Sequence, residues 1–399
     1  MPLTCRGEVH EIGGPGMFFL ARTETAFDDL LAEYRGKVQL IYLDPPFGTG
    51  DTFRVRLSAA NKGATLPCFS DTMPEAEYLS WMHKILTGCH ALLSQSGSIY
   101  LHIDHRMNAK LRLMLDEIFG VKNFLNEIVW SYKSGGRSTR YFPRKHDTIL
   151  FYRKSAKCYF DITAIGKPRG PEKRNHMKRF VDEDGRIGFS IRSGGKTYTY
   201  FEDTPVYPTD VWTDIEHLQQ KDKERVGYAT QKPEALLKRI ILASSRPGDL
   251  VADFFSGSGT TAAVASKCQR RFLAVDASYF AMYTLRARQL KNASLLSLFS
   301  GSHQLTLQYP AEAKALTVNA SIDAADTEKT IRVTQADFSI KRYPVIYAAV
   351  GTIENELFHP LATNCNPKFP CKFTVPRVDL PLVLQVTDAL GMQGFALLE

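Results

Sequence analysis

The chain has 399 residues, of which 44% are hydrophobic and 23% are charged, enough for one large α/β domain and a smaller one. No apolar run approaches the length of a membrane span, and residues 1–16 lack the charged-then-apolar pattern of a signal peptide, so we expect a cytoplasmic protein without membrane contact. The seven cysteines are scattered without a Cys-x-x-Cys pair, which predicts reduced thiols.

The net charge of +8 is concentrated in one segment. Residues 133–179 contain fourteen Lys and Arg against three acids, a local charge of +11, so that the rest of the chain carries −3. A local basic face of this kind is the electrostatic signature of a polyanionic partner. The alternative is a solvated basic surface that binds nothing.

The first motif follows a short apolar run at residues 38–43, which is typical of a parallel strand buried on both faces. The run ends in Asp44-Pro45-Pro46-Phe47. Because the prolines prevent the strand from continuing, Asp44 and Phe47 are expected at the carboxyl edge of the sheet, where open α/β folds bind their ligands. The alternative is a proline turn that only closes a strand.

Apolar spacing predicts further helices and strands after this motif. The helices are expected at residues 75–93 and 108–119, and the strands at residues 97–103 and 146–152. Candidate metal ligands recur in this stretch at His83, Cys89, His90, His102 and His105. Because they lack further ligands at matching spacing, the sequence predicts no metal site.

A strand, a glycine turn and a helix start are predicted at residues 250–267, with the turn at residues 256–259, Ser-Gly-Ser-Gly. Glycines let the backbone approach a ligand closely, and the helix N-terminus offers unpaired N–H groups. The next strand ends in Asp276, seventeen residues after Gly259, where an acid in nucleotide-binding α/β folds holds ribose hydroxyls. No Gly-Lys-Ser/Thr follows the turn, which excludes a phosphate loop, and a simple βα corner is the alternative.

Together these stretches resemble the DNA amino-methyltransferases that use S-adenosylmethionine. Asp44-Pro45-Pro46-Phe47 matches the family's catalytic tetrapeptide, D/N/S-P-P-Y/F, and residues 253–259, Asp-Phe-Phe-Ser-Gly-Ser-Gly, match its methionine-binding motif. Residues 230–241, which begin Thr-Gln-Lys-Pro, resemble the cofactor-site helix that precedes this motif. The catalytic motif comes first and the cofactor motif last, as in the β class. The likeness fades beyond residue 290.

The resemblance implies S-adenosylmethionine as the cofactor, with Asp276 at its ribose and Lys232 near its carboxylate end. The implied cofactor residues are Asp253, Phe254, Phe255, Gly257, Ser258, Gly259, Thr260, Asp276, Thr230, Gln231 and Lys232. On the catalytic side, Asp44 and the carbonyl of Pro45 would accept hydrogen bonds from the target amine. Phe47 would stack on a flipped-out base.

The strand at residues 123–133 resembles the family strand whose aromatic end helps to hold the extruded base. Residues 153–210, in which basic and aromatic side chains alternate among Gly and Pro, occupy the place of the β-class target-recognition region. The expected DNA- and base-binding residues are Trp130, Tyr132, Lys133, Arg137, Arg140, Lys173 and Arg174. For Trp130 the alternative is a half-buried strand residue.

The implied fold class is α/β, a Rossmann-like, seven-stranded and mostly parallel methyltransferase sheet with a circularly permuted motif order. The expected units are a catalytic half at 1–152, the target-recognition insertion at 153–210, a cofactor-binding half at 211–292 and a small α+β or β-rich domain at 300–399.

Asp at position 44 favours a site-specific adenine-N6 DNA methyltransferase. A cytosine-N4 enzyme is the first alternative, although Ser is commoner there at this position. A DNA-binding subunit that has lost catalysis is the second, and the intact Asp44, Gly257 and Gly259 argue against it. The expected partner is double-stranded DNA, and a homodimer and a cognate restriction endonuclease are left open.

Overall fold

The structure is a computed structural model in which the chain forms a central sheet with helices on both faces, an insertion of short strands and a C-terminal sheet. It describes residues 8–12, 16–47, 52–56, 65–70, 72–133, 137–171, 176–219, 221–226, 228, 230–278, 281–282, 284–285, 288–289, 314–324, 328–338, 345–354, 357–365, 370–378, 381–388 and 393–398.

Nine strands form the central sheet in the described part of the chain. They are β1 (Glu8–Ile12), β2 (Gly16–Leu20), β3 (Val38–Leu43), β6 (Leu93–Ile103), β7 (Phe124–Ser131), β8 (His146–Arg153), β14 (Val211–Trp212), β15 (Leu250–Asp253) and β16 (Arg271–Asp276). Their order is β1-β2-β16-β15-β3-β6-β8-β7-β14. The predicted fold class is confirmed, since β2 to β7 in this order make a seven-stranded core, and β1 and β14 extend its two edges.

Most neighbours in this sheet are parallel, which brings several strand ends to one edge. The strands β2, β16, β15, β3 and β6 run in the same direction, so their carboxyl ends lie together. Asp253 and Asp276 are the last residues of β15 and β16, and Asp44 directly follows β3. Three carboxylates therefore emerge at the same edge, where open α/β sheets bind ligands.

The strand β8 is antiparallel to both of its neighbours, β6 and β7. The connection from β7 to β8 is therefore a hairpin loop, with Ser131 paired to His146 at its base. This loop leaves the sheet at the carboxyl edge of β6, where Ile103 pairs with Thr148. The residues between β7 and β8 consequently stand at the same edge as Asp44.

Helices cover both faces of the central sheet. They are α1 (Thr23–Tyr34), α2 (Glu75–Leu92) and α3 (Asn108–Phe119) on one face, and α4 (Glu234–Ser244) and α5 (Thr260–Lys267) on the other. The predicted helix at residues 108–119 has these bounds in the structure, and the helix start predicted after the glycine turn is the first residue of α5. No helix among the described residues is long and apolar enough to cross a membrane.

Short strands make up the insertion and the segment after the proline turn. They are β4 (Thr52–Arg56) paired with β5 (Thr65–Ser70), β9 (Lys167–Pro168) paired with β13 (Pro205–Val206), and a sheet of β10 (Lys178–Val181), β11 (Ile187–Ser193) and β12 (Lys196–Phe201). The insertion is attached to α4, because Arg239 forms a two-pronged contact of 3.0 and 2.5 Å with Asp214, which also accepts Lys167 at 2.9 Å.

Most of the described residues from 314 to 398 lie in strands of one sheet. They are β17 (Lys314–Ala324), β18 (Glu328–Phe338), β19 (Val345–Glu354), β20 (Leu357–Cys365), β21 (Cys371–Pro376), β22 (Val383–Asp388) and β23 (Gln393–Leu397). Ile331, Val350 and Leu384 belong to an apolar cluster of this sheet, whereas Ala349 and Val383 join the core beneath α4 and α5. The boundaries of the four units remain predictions.

The contact between α1 and α2 extends to Phe254, the residue that follows β15. Gly88 of α2 faces the ring of Phe27 on α1, and a Cβ at position 88 would lie 2.7 Å from two ring carbons. The ring of Phe27 packs in turn on Phe254, with the ring centroids 5.3 Å apart. Because Phe254 lies in the turn after β15, a shift of Phe27 would disturb that turn.

We expect Gly88→Ala to lower the free energy of unfolding by up to about 2 kcal/mol, the balance of two opposing effects. Replacing glycine in an exposed helix gains about 1 kcal/mol, but inserting a methyl group into a packed contact costs about 1–3 kcal/mol. Urea unfolding checks this, with Thr87→Ala, exposed on the same helix, as the control that should be neutral or slightly stabilising. Equal stability of the two variants would show that the ring of Phe27 gives way.

Candidate active site

The proline turn after β3 is held by side chains from α2 and β6. The Tyr78 hydroxyl donates a hydrogen bond of 2.7 Å to the carbonyl of Pro46, and Pro45 is buried. The ring of Phe47 lies nearly parallel to that of His102, with centroids 6.1 Å apart and an interplanar angle of 20°. Both sides of the turn are therefore fixed, and Asp44 is half-buried at its start.

The glycine turn lies between β15 and α5. Asp253 anchors it, because its carboxylate accepts the backbone N–H of Phe255 at 3.0 Å and the hydroxyl of Thr261 at 2.6 Å. Gly257 and Gly259 have φ angles of +47° and +70°, which disfavour any other residue. At position 259 a Cβ would also lie 2.9 Å from the side chain of Leu285. The turn therefore requires these two glycines.

Lys232 joins the proline turn to the glycine turn. Its Nζ donates to both oxygens of Asp44, at 2.7 and 2.6 Å, and its side chain is 11% exposed. Its backbone carbonyl accepts the hydroxyl of Thr260, the first residue of α5, at 3.3 Å. The structure thus brings the two sequence motifs together. The family resemblance implied that Lys232 lies near the carboxylate end of the cofactor. In the structure, the ammonium group of Lys232 bonds Asp44.

Other residues predicted to contact the cofactor form hydrogen bonds within the protein or are wholly or partly buried. Gln231 is buried and holds the preceding loop, accepting Val226 N–H at 2.9 Å and donating to the Glu224 carbonyl at 2.8 Å. The hydroxyls of Ser258 and Thr260 are 2.9 Å apart. Phe254 is buried, while Phe255 and Thr230 are half-buried. Their predicted contacts to a cofactor remain predictions.

Burial strains the two carboxylates beside the glycine turn. Burial is the main cause that raises the pKa of Asp253 to about 7 and that of Asp276 to about 6. Asp276 accepts the N–H groups of Gly257 at 2.8 Å and Ser278 at 2.9 Å. The hydroxyl of Ser256 is buried without a hydrogen-bond partner among the described residues. Carboxylate acceptors, a glycine turn and an unsatisfied hydroxyl suit a ligand with ribose hydroxyls.

A buried histidine–aspartate pair lies behind the proline turn, and sequence reasoning missed it. His102 is fully buried, with Nδ1 2.8 Å from the Tyr42 hydroxyl and Nε2 3.1 Å from Asp147. The Tyr132 hydroxyl donates to the other oxygen of Asp147 at 3.1 Å. Burial alone would raise the pKa of Asp147, but the bond to His102, the charge of Lys232 and the bond from Tyr132 lower it to about 2.

The predicted DNA- and base-binding residues separate into a buried group and an exposed group. Trp130 is fully buried, donates its indole N–H to the Ile215 carbonyl at 2.8 Å and meets the ring of His102 edge-on at 5.6 Å. Tyr132, two residues later, is half-buried.

The exposed group follows on the loop after β7. Lys133 is exposed and pairs with Glu216 at 3.1 Å, and Arg137 and Arg140 are also exposed. Lys173 and Arg174 lie outside the described residues. The predicted contacts of both groups with DNA and base stay predictions.

The chain is similar to several known proteins. A family model described as DNA methylase, N6_N4_Mtase, matches residues 38–285. The type II methyltransferase M.EcaI of Enterobacter cloacae is 31% identical over 69% of this chain and 69% of its own. The DNA adenine methyltransferase YhdJ of Escherichia coli K12 is 31% identical over 62% of this chain and 76% of its own. Among solved structures, the cytosine-N4-specific PvuII DNA methyltransferase superimposes with a TM-score of 0.48 at 14% identity, covering 73% of this chain and 92% of that chain.

The raised pKa of Asp253 predicts a loss of stability with rising pH. The folded protein keeps a proton on Asp253 where the unfolded chain has lost it, so the free energy of unfolding falls between about pH 4 and about pH 7. Asp253→Asn removes this titration and keeps an acceptor for Phe255 N–H. The free energy of unfolding of this variant should therefore exceed that of wild type by about 1–4 kcal/mol across this pH range.

Urea unfolding at a series of pH values measures this difference. Asp28→Asn, an exposed position on α1, is the control, and its stability should run parallel to that of wild type. If the curve for Asp253→Asn also ran parallel to wild type, the carboxyl group would titrate normally in the folded protein.

Proposed function

This chain belongs to the N6_N4_Mtase family of DNA methylases, and on that premise we propose that it methylates the N6 amine of adenine in double-stranded DNA, using S-adenosylmethionine. The observation that carries the proposal is the ion pair of Asp44 and Lys232. Through it the carboxylate of the catalytic tetrapeptide stands beside the glycine turn, so that an amine and a methyl donor can meet at one edge of the sheet.

The target amine is a poor nucleophile because its lone pair is delocalised into the base. Asp44 and the Pro45 carbonyl accept its two N–H groups and favour a pyramidal nitrogen with an available lone pair. The Lys232 ammonium orients the Asp44 carboxylate, which has about four acceptor positions and so keeps room for the amine. The Pro46 carbonyl is already bonded to Tyr78, which favours Pro45 as the second acceptor.

The residues around the glycine turn fit the proposed cofactor. Phe254, Gly257 and Gly259 would surround its methionine part, and Asp276 its ribose. S-Adenosylmethionine supplies a methyl group on a sulfonium, so the protein needs no covalent nucleophile and works by position and electrostatics. Asp276, whose pKa burial raises to about 6, stays mostly ionised at pH 7 and would accept hydrogen bonds from ribose hydroxyls.

Adenine is favoured over cytosine by two observations. Asp occupies position 44, as in adenine-N6 members of the family, where cytosine-N4 members more often have Ser. The YhdJ relative, 31% identical, is named a DNA adenine methyltransferase. A homodimer and a cognate restriction endonuclease stay predictions.

The deciding experiment is sequencing, with modified-base detection, of DNA from cells that express the protein. Wild type should produce N6-methyladenine at one sequence motif, and Asp44→Ala should reduce methyl transfer more than about hundredfold, since it removes the acceptor that faces the amine. Because alanine leaves the Lys232 ammonium without this partner, a thermal melt of the variant shows whether it is folded at the assay temperature.

The matched control is Asp249→Asn, at the amino end of β15, which should methylate as wild type does. N4-methylcytosine would replace the adenine assignment by the cytosine one. Asp44→Ala with wild-type activity would exclude the proposed role of Asp44.

We expect DNA binding to weaken steeply with salt, because cations released from phosphates dominate the affinity of basic proteins. Arg137→Ala should make the slope of log K against log salt shallower by about 1 for its phosphate contact. Lys238→Ala, on the exposed side of α4, is the control that should leave the slope unchanged. Fluorescence anisotropy with a labelled duplex gives the slopes, and a flat response of wild type would remove the basic segment from the DNA interface.

A further inference from the structure

The loop between β7 and β8 carries an aromatic pair that the fold does not bury. In this segment, residues 137–145, which we call the rim loop, Phe142 is 96% exposed and Tyr141 is 59% exposed. Single apolar side chains on a surface are ordinary. Two adjacent aromatic rings at a loop tip next to a candidate active site need a further explanation.

The rim loop stands at the edge of the proposed base pocket. Its base is closed by the Tyr132 N–H, which donates to the Lys145 carbonyl at 2.9 Å. Asp147, five residues after Phe142, bonds His102 at 3.1 Å, and the ring of His102 stacks on Phe47. The base of the rim loop is therefore next to the side chains that hold the Asp44 turn.

The rim loop is ordered by its own contacts. The hydroxyl of Ser138 accepts the N–H groups of Arg140 at 3.2 Å and Tyr141 at 3.3 Å. The guanidinium of Arg144 lies 5.0 Å from the ring centre of Tyr141. Pro143 has a fixed φ and biases Phe142 towards an extended backbone. A tip ordered before binding loses little entropy when it inserts into a partner.

The charge around the tip indicates the partner. Residues 132–146 contain five Lys and Arg, at 133, 137, 140, 144 and 145, and no acidic residue. Cations of this density bind phosphates, while an apolar ring among them can enter the stack of bases. A protein partner would need to be strongly acidic around an aromatic pocket. The basic surroundings favour DNA.

We propose that Phe142 is a wedge that enters the duplex beside the target base and occupies the space that the base leaves when it flips out. This inference rests on the proposed function and adds the residue that performs the opening. Taking a base out of the stack costs a few kcal/mol, and apolar side chains inserted at a base step offset part of that cost. Arg140 and Arg144 on either side of the tip would hold the two phosphate backbones.

The test compares two duplexes that carry the sequence motif found by modified-base sequencing. One duplex is fully paired, and the other has an abasic position opposite the target base, so that the target is already unpaired. Methyl transfer, as kcat/KM, is measured for wild type, Phe142→Ala, Phe142→Trp and Leu113→Ala. Leu113 is 71% exposed on α3 and serves as the matched control for removing an exposed apolar side chain.

On the paired duplex, Phe142→Ala should lose about 10–100-fold in kcat/KM, because it forfeits part of the few kcal/mol needed for flipping. On the abasic duplex it should recover to within about threefold of wild type, since little is left to open. Phe142→Trp, which keeps a flat ring, and Leu113→Ala should stay within about threefold of wild type on both duplexes.

Three outcomes would overturn the wedge. The first is Phe142→Ala with wild-type activity on the paired duplex. The second is an equal loss on both duplexes, which would mean that Phe142 contributes general affinity. The third is a change of oligomeric state in light scattering, which would assign the ring to contacts between copies of this chain. Absence of methyl transfer by wild type on either duplex would contradict the proposed function itself.

Discussion

The ion pair between Asp44 and Lys232 is the contact on which the arrangement of the site depends. These residues are 188 positions apart, and the insertion predicted at residues 153–210 lies between them. Lys232 also accepts the Thr260 hydroxyl through its backbone, so one residue joins the end of β3 to the start of α5. A largely buried ion pair adds little net stability, because desolvation offsets the attraction. Its main effect here is to set the position of a carboxylate against a glycine turn.

The site contains carboxyl groups whose burial is energetically unfavourable. Asp44, Asp253 and Asp276 emerge at one edge of a sheet whose strands are apolar, and burial raises the pKa of Asp253 to about 7 and that of Asp276 to about 6. An apolar residue in place of either acid would be easier to bury. Proteins keep such groups where chemistry or binding needs them, at a cost in stability. The hydrogen bonds from Gly257, Phe255 and Thr261 reduce that cost without removing it.

The direction of strand β8 determines which residues lie next to the proposed position of the base. Because β8 runs opposite to β6 and β7, the chain returns through a hairpin at the carboxyl edge, where a parallel connection would have needed a long crossover. The rim loop, the Trp130 end of β7 and the bond of His102 to Asp147 all follow from this reversal. One side of the site is therefore formed by the parallel strands and the glycine turn. The other side is formed by the hairpin between β7 and β8, which carries basic and aromatic residues.

The sequence by itself determined the local features of this protein. Side-chain periodicity and backbone preferences act over a few residues, and they are visible in the sequence. They predicted the apolar run before Asp44, the proline turn, the bounds of α3, the start of α5 and the glycine turn. The resemblance that the three motifs carry also implied the α/β class.

Only the tertiary structure decided which side chains meet. It paired Lys232 with Asp44, used Gln231 to hold a loop, buried Trp130, and placed His102 against Asp147. The sequence of a strand buried on both faces is a nearly continuous apolar run. A polar residue within such a run, or at its end, therefore does not indicate which side chain it will hydrogen-bond. That partner comes from another part of the chain, and the packing of the sheet and its helices selects it.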